Sequence, residues 1–503
     1  MQLQALLSVA LCVAMVAASS ATAAGQAEKG CRILQRAYPD AVFSPGSPRY
    51  KFENEYGWST TSYLGPACIF APSTPEMTSF AVRTFSQNKI KFAVRGGGAM
   101  PRPTTANIGP EGILVANTNF TKLQISDDSA LVSVGAGVKW PRLFEYLDRY
   151  NVTTNGIRMG DVGVIGTVLG GGIGFFSYEF GTVTTSVDSI QCVLADGTIT
   201  TASLTRNSDL FWALRGGGNN FCIVTEVKLK TYNVPNVYVG QVSYGTADIQ
   251  SRYIQSMVEF AHHADAYPTA SVEGQIYWFP AASNDRFYDA FIFNNGQDPA
   301  PPGLQNFSAP VMAPVTGNLT QRSMGSWFNG FDYAGDRGQR KIFHMMSVPA
   351  VPRAMEIVVD TYFAAVEHLA AYDGFFSAVS TMPITRRLIS ASNDNGGNPL
   401  GLNGDSAPSL WLVESPSWTN PVDDAIMLET HKTLNEQITK NLAAEGFERG
   451  PYVYPSGDDT QVDDMFPGYG QENVRRLKSI LKKYDPKGVF TKLLPGGPKV
   501  AFA

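Results

Sequence analysis

Three runs of three glycines fall within one strand-rich stretch, at Gly96–Gly98, Gly170–Gly172 and Gly216–Gly218. A glycine costs roughly 0.5–1 kcal/mol in a regular element, so triplets persist where the backbone turns sharply or something must approach it closely. The first follows an apolar strand in "KFAVRGGGAM", and bare N–H groups in such loops form anion-binding concavities. No Gly-Lys-Ser/Thr follows, so it is not a P-loop, and no GxGxxG opens a helix, so it is not a dinucleotide fingerprint. One triplet is compatible with a plain turn. Three, two of them preceded by Arg95 and Arg215, argue for a shared ligand.

The second run lies in "RMGDVGVIGTVLGGGIGFFSYEFG", where Gly160, Gly163, Gly166 and Gly170 recur among small apolar residues. A surface so free of side chains suits a planar ligand, or close packing of a sheet on itself. The third, "NSDLFWALRGGGNNFCIVTEVKLKTY", ends in a strand and adds amides at Asn219 and Asn220.

The rest of the chain bounds the class. At 503 residues, 44% hydrophobic and 17% charged, it is globular and long enough for two or three packed units. The net charge of −5, with no Lys/Arg run, argues against a nucleic-acid partner. "LLSVALCVAMVAASSATAA" ends in the cleavage pattern Ala21-Thr22-Ala23 and reads as a secretory signal over 1–24, the other reading being a disordered tail. No second long apolar run follows, so a soluble, secreted chain is expected. A bridge between Cys31 and Cys68 would tie the terminal arm to the first strand. Cys192, alternating with apolar neighbours in "SIQCVLADG", reads as a buried free thiol unless its strand adjoins that of Cys222. Sequons at Asn119, Asn151, Asn306 and Asn318 agree with secretion.

Short strands dominate 60–234, with a hairpin at Asp196-Gly197 and one helix marked by Trp140, Leu143, Phe144 and Leu147. Beyond 235 glycine thins out, and helical patterns appear at 351–372 and 422–445. Val474, Leu477, Ile480, Leu481 and Tyr484 mark a last helix.

The segments "PACIFAPSTPEM", "RGGGAMP", "VGVIGTVLGGGIGFFS", "LADGTITTAS", "DLFWALRGGGNNFCIVT" and "KKYDPKGVFTKLLPGGPKV" resemble, in that order, the berberine-bridge-enzyme-like branch of the vanillyl-alcohol-oxidase, or PCMH-type, flavoproteins. The resemblance implies an α+β fold. A two-subdomain FAD-binding domain would span 25–234, an α/β substrate domain with an antiparallel sheet over the flavin 235–450, and a C-terminal segment returning to the FAD domain 451–503. It implies that the backbone of Gly96, Gly97, Gly98 and Ala99 holds the FAD pyrophosphate, flanked by Arg95 and Met100. Met159, Asp161, Val162, Gly163, Gly166 and Gly170 would line the cofactor, Ile223 would meet its adenosine part, and Val164 would tune oxygen access. Tyr452 and Tyr454 match a tyrosine-bearing strand facing the flavin, where one of them would assist substrate deprotonation. Thr185-Ser186, where relatives often carry Asp-Asn, and Pro498, where an aromatic usually follows PGG, depart from the pattern.

Family members often carry a flavin-bonded histidine at the position of Ala99, and many a cysteine at that of Met159. Alanine has no nucleophile and a thioether cannot replace a thiolate, so FAD is expected to bind without a covalent bond, at a lower reduction potential. The expected activity is an oxidase that passes a substrate hydride to flavin N5 and then to O2, on a secondary metabolite or sugar, as a monomer without membrane contact. A redox-neutral cyclase or isomerase and a flavin-free binding protein are the competing readings.

Overall fold

The computed structural model describes residues 22–158, 160–245, 249–333, 337–454 and 465–503. Most of the expected signal segment, residues 1–21, lies outside the described residues.

The fold is α+β, built on three large sheets, with a two-stranded ribbon pairing Arg340–Lys341 with Ser417–Trp418 among the described residues. The first contains β1 (Val42–Phe43), β2 (Cys68–Phe70), β3 (Lys91–Arg95) and β4 (Gly112–Ala116) in the order β1-β2-β4-β3. β2 and β3 both run parallel to β4. Every residue of β4 is buried, as expected for a parallel strand covered on both faces. The helix Pro75–Asn88 carries the chain from β2 to β3. It starts at Thr74, whose hydroxyl accepts from Met77 N at 3.3 Å, and it stops at Lys89 in the left-handed region.

The second sheet is antiparallel: β5 (Leu123–Ile125), β6 (Leu131–Gly135), β7 (Val187–Val193), β8 (Ile199–Ser203) and β9 (Ile223–Lys230), in the order β5-β6-β9-β7-β8. β7 and β8 form the hairpin expected at Asp196-Gly197, with Gly197 at φ +87°. The helix Trp140–Asp148 buries Trp140, Leu143, Phe144 and Leu147, the stripe read from the sequence.

The third sheet is also antiparallel: β10 (Val237–Tyr244), β11 (Ala270–Trp278), β12 (Arg286–Asn294), β13 (Pro314–Thr316), β14 (Thr320–Arg322), β15 (His344–Pro349), β16 (Ser377–Ile384) and β17 (Ser409–Glu414). Its order is β13-β10-β12-β11-β16-β17-β15, with β14 also on β10. The helices Gln250–His263 and Pro352–Val366 pack on one face. A Cβ on Gly274 of β11 would meet Tyr253 Oη at 2.4 Å, and Ser377 of β16 donates to Tyr362 Oη at 2.7 Å. The period of two then turns Glu273, Gln275 and Tyr277 to the opposite face, toward the glycine loops.

The C-terminal segment returns to the first sheet. After the helix Gln471–Tyr484, Leu493 O accepts from Phe92 N of β3 at 2.8 Å, and Val489, Phe490 and Leu494 join the core of that sheet.

Cys31, in a helix over 22–37, is bridged to Cys68 of β2. Cys192 is not a free thiol. It is bridged to Cys222, because β7 and β9 are paired neighbours and bring the two Cα atoms within 5.9 Å. Closing loops with sequence separations of 37 and 30 stabilises each by about 2–4 kcal/mol through the unfolded chain. Peptide mapping without reduction should recover both linked pairs, and Cys192→Ser/Cys222→Ser should lower the thermal midpoint by several degrees. Alkylation of Cys192 in the native protein would contradict the second bridge.

Candidate flavin site

β3 ends at Arg95, whose side chain turns inward. Its guanidinium is bonded to the Glu53 carboxylate and carbonyl and lies 4.4 Å from the Tyr56 ring centroid. The following loop therefore presents backbone. Gly97 packs on Gly163 with no room for a side chain: a Cβ on Gly97 would lie 2.2 Å from Gly163 N, and one on Gly163 2.5 Å from Gly97 N. Gly98, at φ +69°, takes a conformation that suits glycine, and its carbonyl accepts from Trp58 N at 2.9 Å. Ala99 and Met100 follow, partly exposed.

Two backbone bonds hold the second glycine stretch, Val162 O from Trp140 N at 3.0 Å and Val164 N to Val138 O at 3.1 Å. A helix then runs over Val164–Leu169. Four of its residues are buried (Val164, Ile165, Thr167 and Val168), whereas Gly166 is exposed and a Cβ there would meet nothing within 4 Å. Gly170 caps this helix, donating to Gly166 O at 3.0 Å. Leu169 O accepts from Gly218 N at 3.0 Å, so the third glycine stretch joins the other two. Ile223, first residue of β9, is buried in the core of the first sheet. Met159 lies outside the described residues.

Asp161 is occupied by two cations: Lys139 Nζ at 2.5 Å and Arg337 Nη2 at 2.6 Å. Arg337 also donates to Tyr56 O at 2.8 Å. What Asp161 can offer a cofactor is thus chiefly backbone. Burial pulls the Lys139 ammonium below its usual range, against the pull of Asp161.

The residues fit FAD. A nest of N–H groups stands at the carboxyl end of a parallel strand, the position that phosphate loops occupy. Gly166 leaves a bare, open patch on a helix where helix propensity alone would favour alanine by about 1 kcal/mol.

The FAD binding domain family matches residues 66–203. An FAD-dependent monooxygenase of Arthrobotrys oligospora is 30% identical over 476 residues, covering 93% of this chain and 88% of its own length. The chain belongs to the FAD-dependent oxidoreductases that carry this FAD binding domain. FAD is its cofactor. The FAD-dependent monooxygenase prx3 of Penicillium roqueforti is 28% identical over 99% of both chains. Among solved structures, 6-hydroxy-D-nicotine oxidase from Arthrobacter nicotinovorans shares the fold with a TM-score of 0.73 at 17% identity, over 91% of this chain and 98% of the other. A glucooligosaccharide oxidase from Acremonium strictum does so at 0.72 and 19%, over 92% and 97%.

Above the glycine loops lies the third sheet. Tyr454 Oη accepts from Ile173 N, in the second glycine stretch, at 2.9 Å. Tyr452 stacks on Trp411 of β17 at 4.6 Å, and its buried hydroxyl has no hydrogen-bond partner among the described residues. Burial holds the Tyr452 phenol well above its ordinary range, with Tyr469 and Tyr454 adding to the effect. A phenol that keeps its proton donates a hydrogen bond more readily than it takes a proton.

Sequence reasoning passed over the polar face of this sheet. Glu273 of β11 stands 3.7 Å from Arg158 Nε, in the stretch that leads to Gly160, and Arg158 O accepts from Trp327 Nε1 at 2.9 Å. Burial raises the Glu273 carboxyl above its usual range, and Arg158 opposes the rise. Beside it, Gln241 Nε2 donates to Asp289 Oδ2 at 2.9 Å, and the Tyr277 phenol is pushed up to about 12, by burial first and Asp289 second. The signal was present: Ser271, Glu273, Gln275 and Tyr277 alternate with apolar residues, which marks one polar face on a strand.

Two glycine substitutions separate packing from cofactor binding. Gly97→Ala should cost several kcal/mol or abolish FAD binding, because backbone cannot yield to a Cβ at 2.2 Å. Gly166→Ala should stabilise the flavin-free protein by about 1 kcal/mol yet weaken FAD binding at least tenfold. Thermal melts and FAD titration check both.

Proposed function

We propose that the chain is a secreted FAD-dependent oxidase of a small-molecule secondary metabolite or sugar, and that it holds FAD without a covalent bond. In this reading the FAD-binding domain spans 25–234, the substrate domain 235–450 and the returning segment 451–503. The backbone of Gly96–Ala99 holds the pyrophosphate, Asp161–Val164, Gly166 and Gly170 line the cofactor, and Ile223 meets its adenosine part. Bound FAD supplies the two-electron acceptor, which O2 reoxidises.

One observation carries the reading: the bond from Ile173 N to Tyr454 Oη fastens the tyrosine-bearing segment, which is not a strand, to a glycine loop. Substrate then lies between that loop and the polar face of the sheet. Tyr452, whose hydroxyl has no hydrogen-bond partner among the described residues, orients a substrate oxygen. Glu273 accepts the substrate proton, because burial makes its carboxylate a better base than an exposed one, while the Arg158 guanidinium at 3.7 Å opposes the rise. Secretion is supported by the two disulfides and by four exposed sequon asparagines. No helix among the described residues is long and apolar enough to cross a membrane.

Acid or heat denaturation should release all yellow colour, and flavin fluorescence on the protein band of a denaturing gel would overturn the non-covalent reading. Ala99→His should acquire at least partial covalent flavin. Glu273→Gln should lower kcat by about 10²–10⁴-fold with FAD content unchanged. Peroxide released mole for mole with product supports the oxidase; oxygen from 18O2 found in the product would make the chain a monooxygenase, as its curated relatives are called.

A further inference from the structure

Lys499 is a buried amine beside the amides that follow the third glycine stretch, with no carboxylate in salt-bridge contact among the described residues. The residue is 8% exposed, and its polar partner is a neutral amide, Asn219 Oδ1, at 3.0 Å. Its position is fixed from both sides. Asn219 Nδ2 donates to Gly496 O at 3.0 Å, Asn220 Nδ2 donates to Pro498 O at 3.1 Å, and Val500 N donates to Asn220 Oδ1 at 3.2 Å. Gly496 presses on the loop that follows the first triplet: a Cβ there would lie 1.8 Å from Thr104 O.

The surrounding charges do not neutralise it. Arg102, three residues past Ala99, is close enough to repel it. Asp485 attracts it, but that carboxylate is spent on Val489 N at 2.7 Å and Phe490 N at 2.8 Å. Burial and Arg102 together bring the ammonium down to about 7. A buried cation lacking an anion is costly, and the cost is removed when an anion binds. The anion that belongs among these glycine loops is a phosphate.

We propose that Lys499, from the C-terminal segment, binds a phosphate oxygen of FAD and so supplies retention that Ala99 and Met159 cannot supply covalently. The inference rests on the non-covalent reading above. It assigns the return of the C-terminal segment a purpose besides packing, since that segment carries the cation to the cofactor loops.

The test is the FAD dissociation constant of the holoenzyme, read by recovery of flavin fluorescence on dilution. Lys499→Gln keeps a donor for Asn219 and removes the charge. It should weaken FAD binding by about 10–100-fold, the worth of a charge-assisted hydrogen bond, and flatten the salt dependence. Lys499→Arg should stay within a few-fold of wild type.

The pH profile gives a second readout. A lysine that titrates near 7 in the free protein must gain a proton to hold phosphate, so FAD affinity should fall as pH rises above 7. The fall should approach tenfold per unit until the bound-state value is passed, and Lys499→Gln should lack it. Arg102 and Asp485 are the charged groups facing Lys499. Wild-type affinity and pH profile in Lys499→Gln would overturn the proposal while leaving non-covalent FAD intact. Equal losses of FAD affinity and of flavin-free stability, with the pH profile kept, would reduce Lys499 to a packing residue and also overturn it. Flavin that stays on the denatured wild-type chain would sink both readings together.

Discussion

The backbone contact between Gly97 and Gly163 is the constraint on which the site depends. It joins the carboxyl end of a parallel strand in the first sheet to the start of a helix beside the second, with each glycine N–H too close to the other residue for any side chain. The contact aligns two stretches of bare backbone, and the third is drawn in through Gly218 and Leu169. Glycine's usual penalty of roughly 0.5–1 kcal/mol per residue is offset here by a surface that can lie against a phosphate and a flat ring.

Around that contact, side chains that look like ligands in the sequence are engaged elsewhere. Arg95 is consumed by Glu53 and Tyr56, and Asp161 by Lys139 and Arg337. These pairs hold the loops in position from several directions, Arg337 reaching Asp161 from 176 positions along the chain. The recognition elements left to the loops are N–H groups and a bare helix surface. Charge comes from farther along the chain: Arg158 with Glu273 on the sheet side, and Lys499 on the side where the C-terminus returns.

The third sheet divides its labour between its faces. One face is sealed against two helices through Gly274, Tyr253 and Tyr362. The other carries carboxylates, amides and phenols that water would normally solvate, and keeps them among aromatic rings. Low dielectric there raises the carboxyl of Glu273 and the phenols of Tyr277 and Tyr452, which moves both kinds of group toward their protonated forms. A carboxyl and a phenol so displaced are suited to different tasks, proton transfer for the first and hydrogen-bond donation for the second.

Local features by themselves determined much of this. Glycine triplets after strands, the Asp196-Gly197 hairpin, the stripe from Trp140 to Leu147 and the absence of a nucleophile at Ala99 are set by residue type and spacing, and the family follows from their order along the chain. Tertiary structure decided what depends on residues far apart in sequence. Cys192 pairs with Cys222 because β7 and β9 are neighbours, which alternation within one strand cannot reveal. Glu273 meets Arg158 across 115 positions because the sheet lies over the loop. Lys499 reads as one more basic residue near a terminus until the chain's return buries it beside Asn219. Burial and long-range pairing turn ordinary side chains into titrating ones, and neither is written in local sequence.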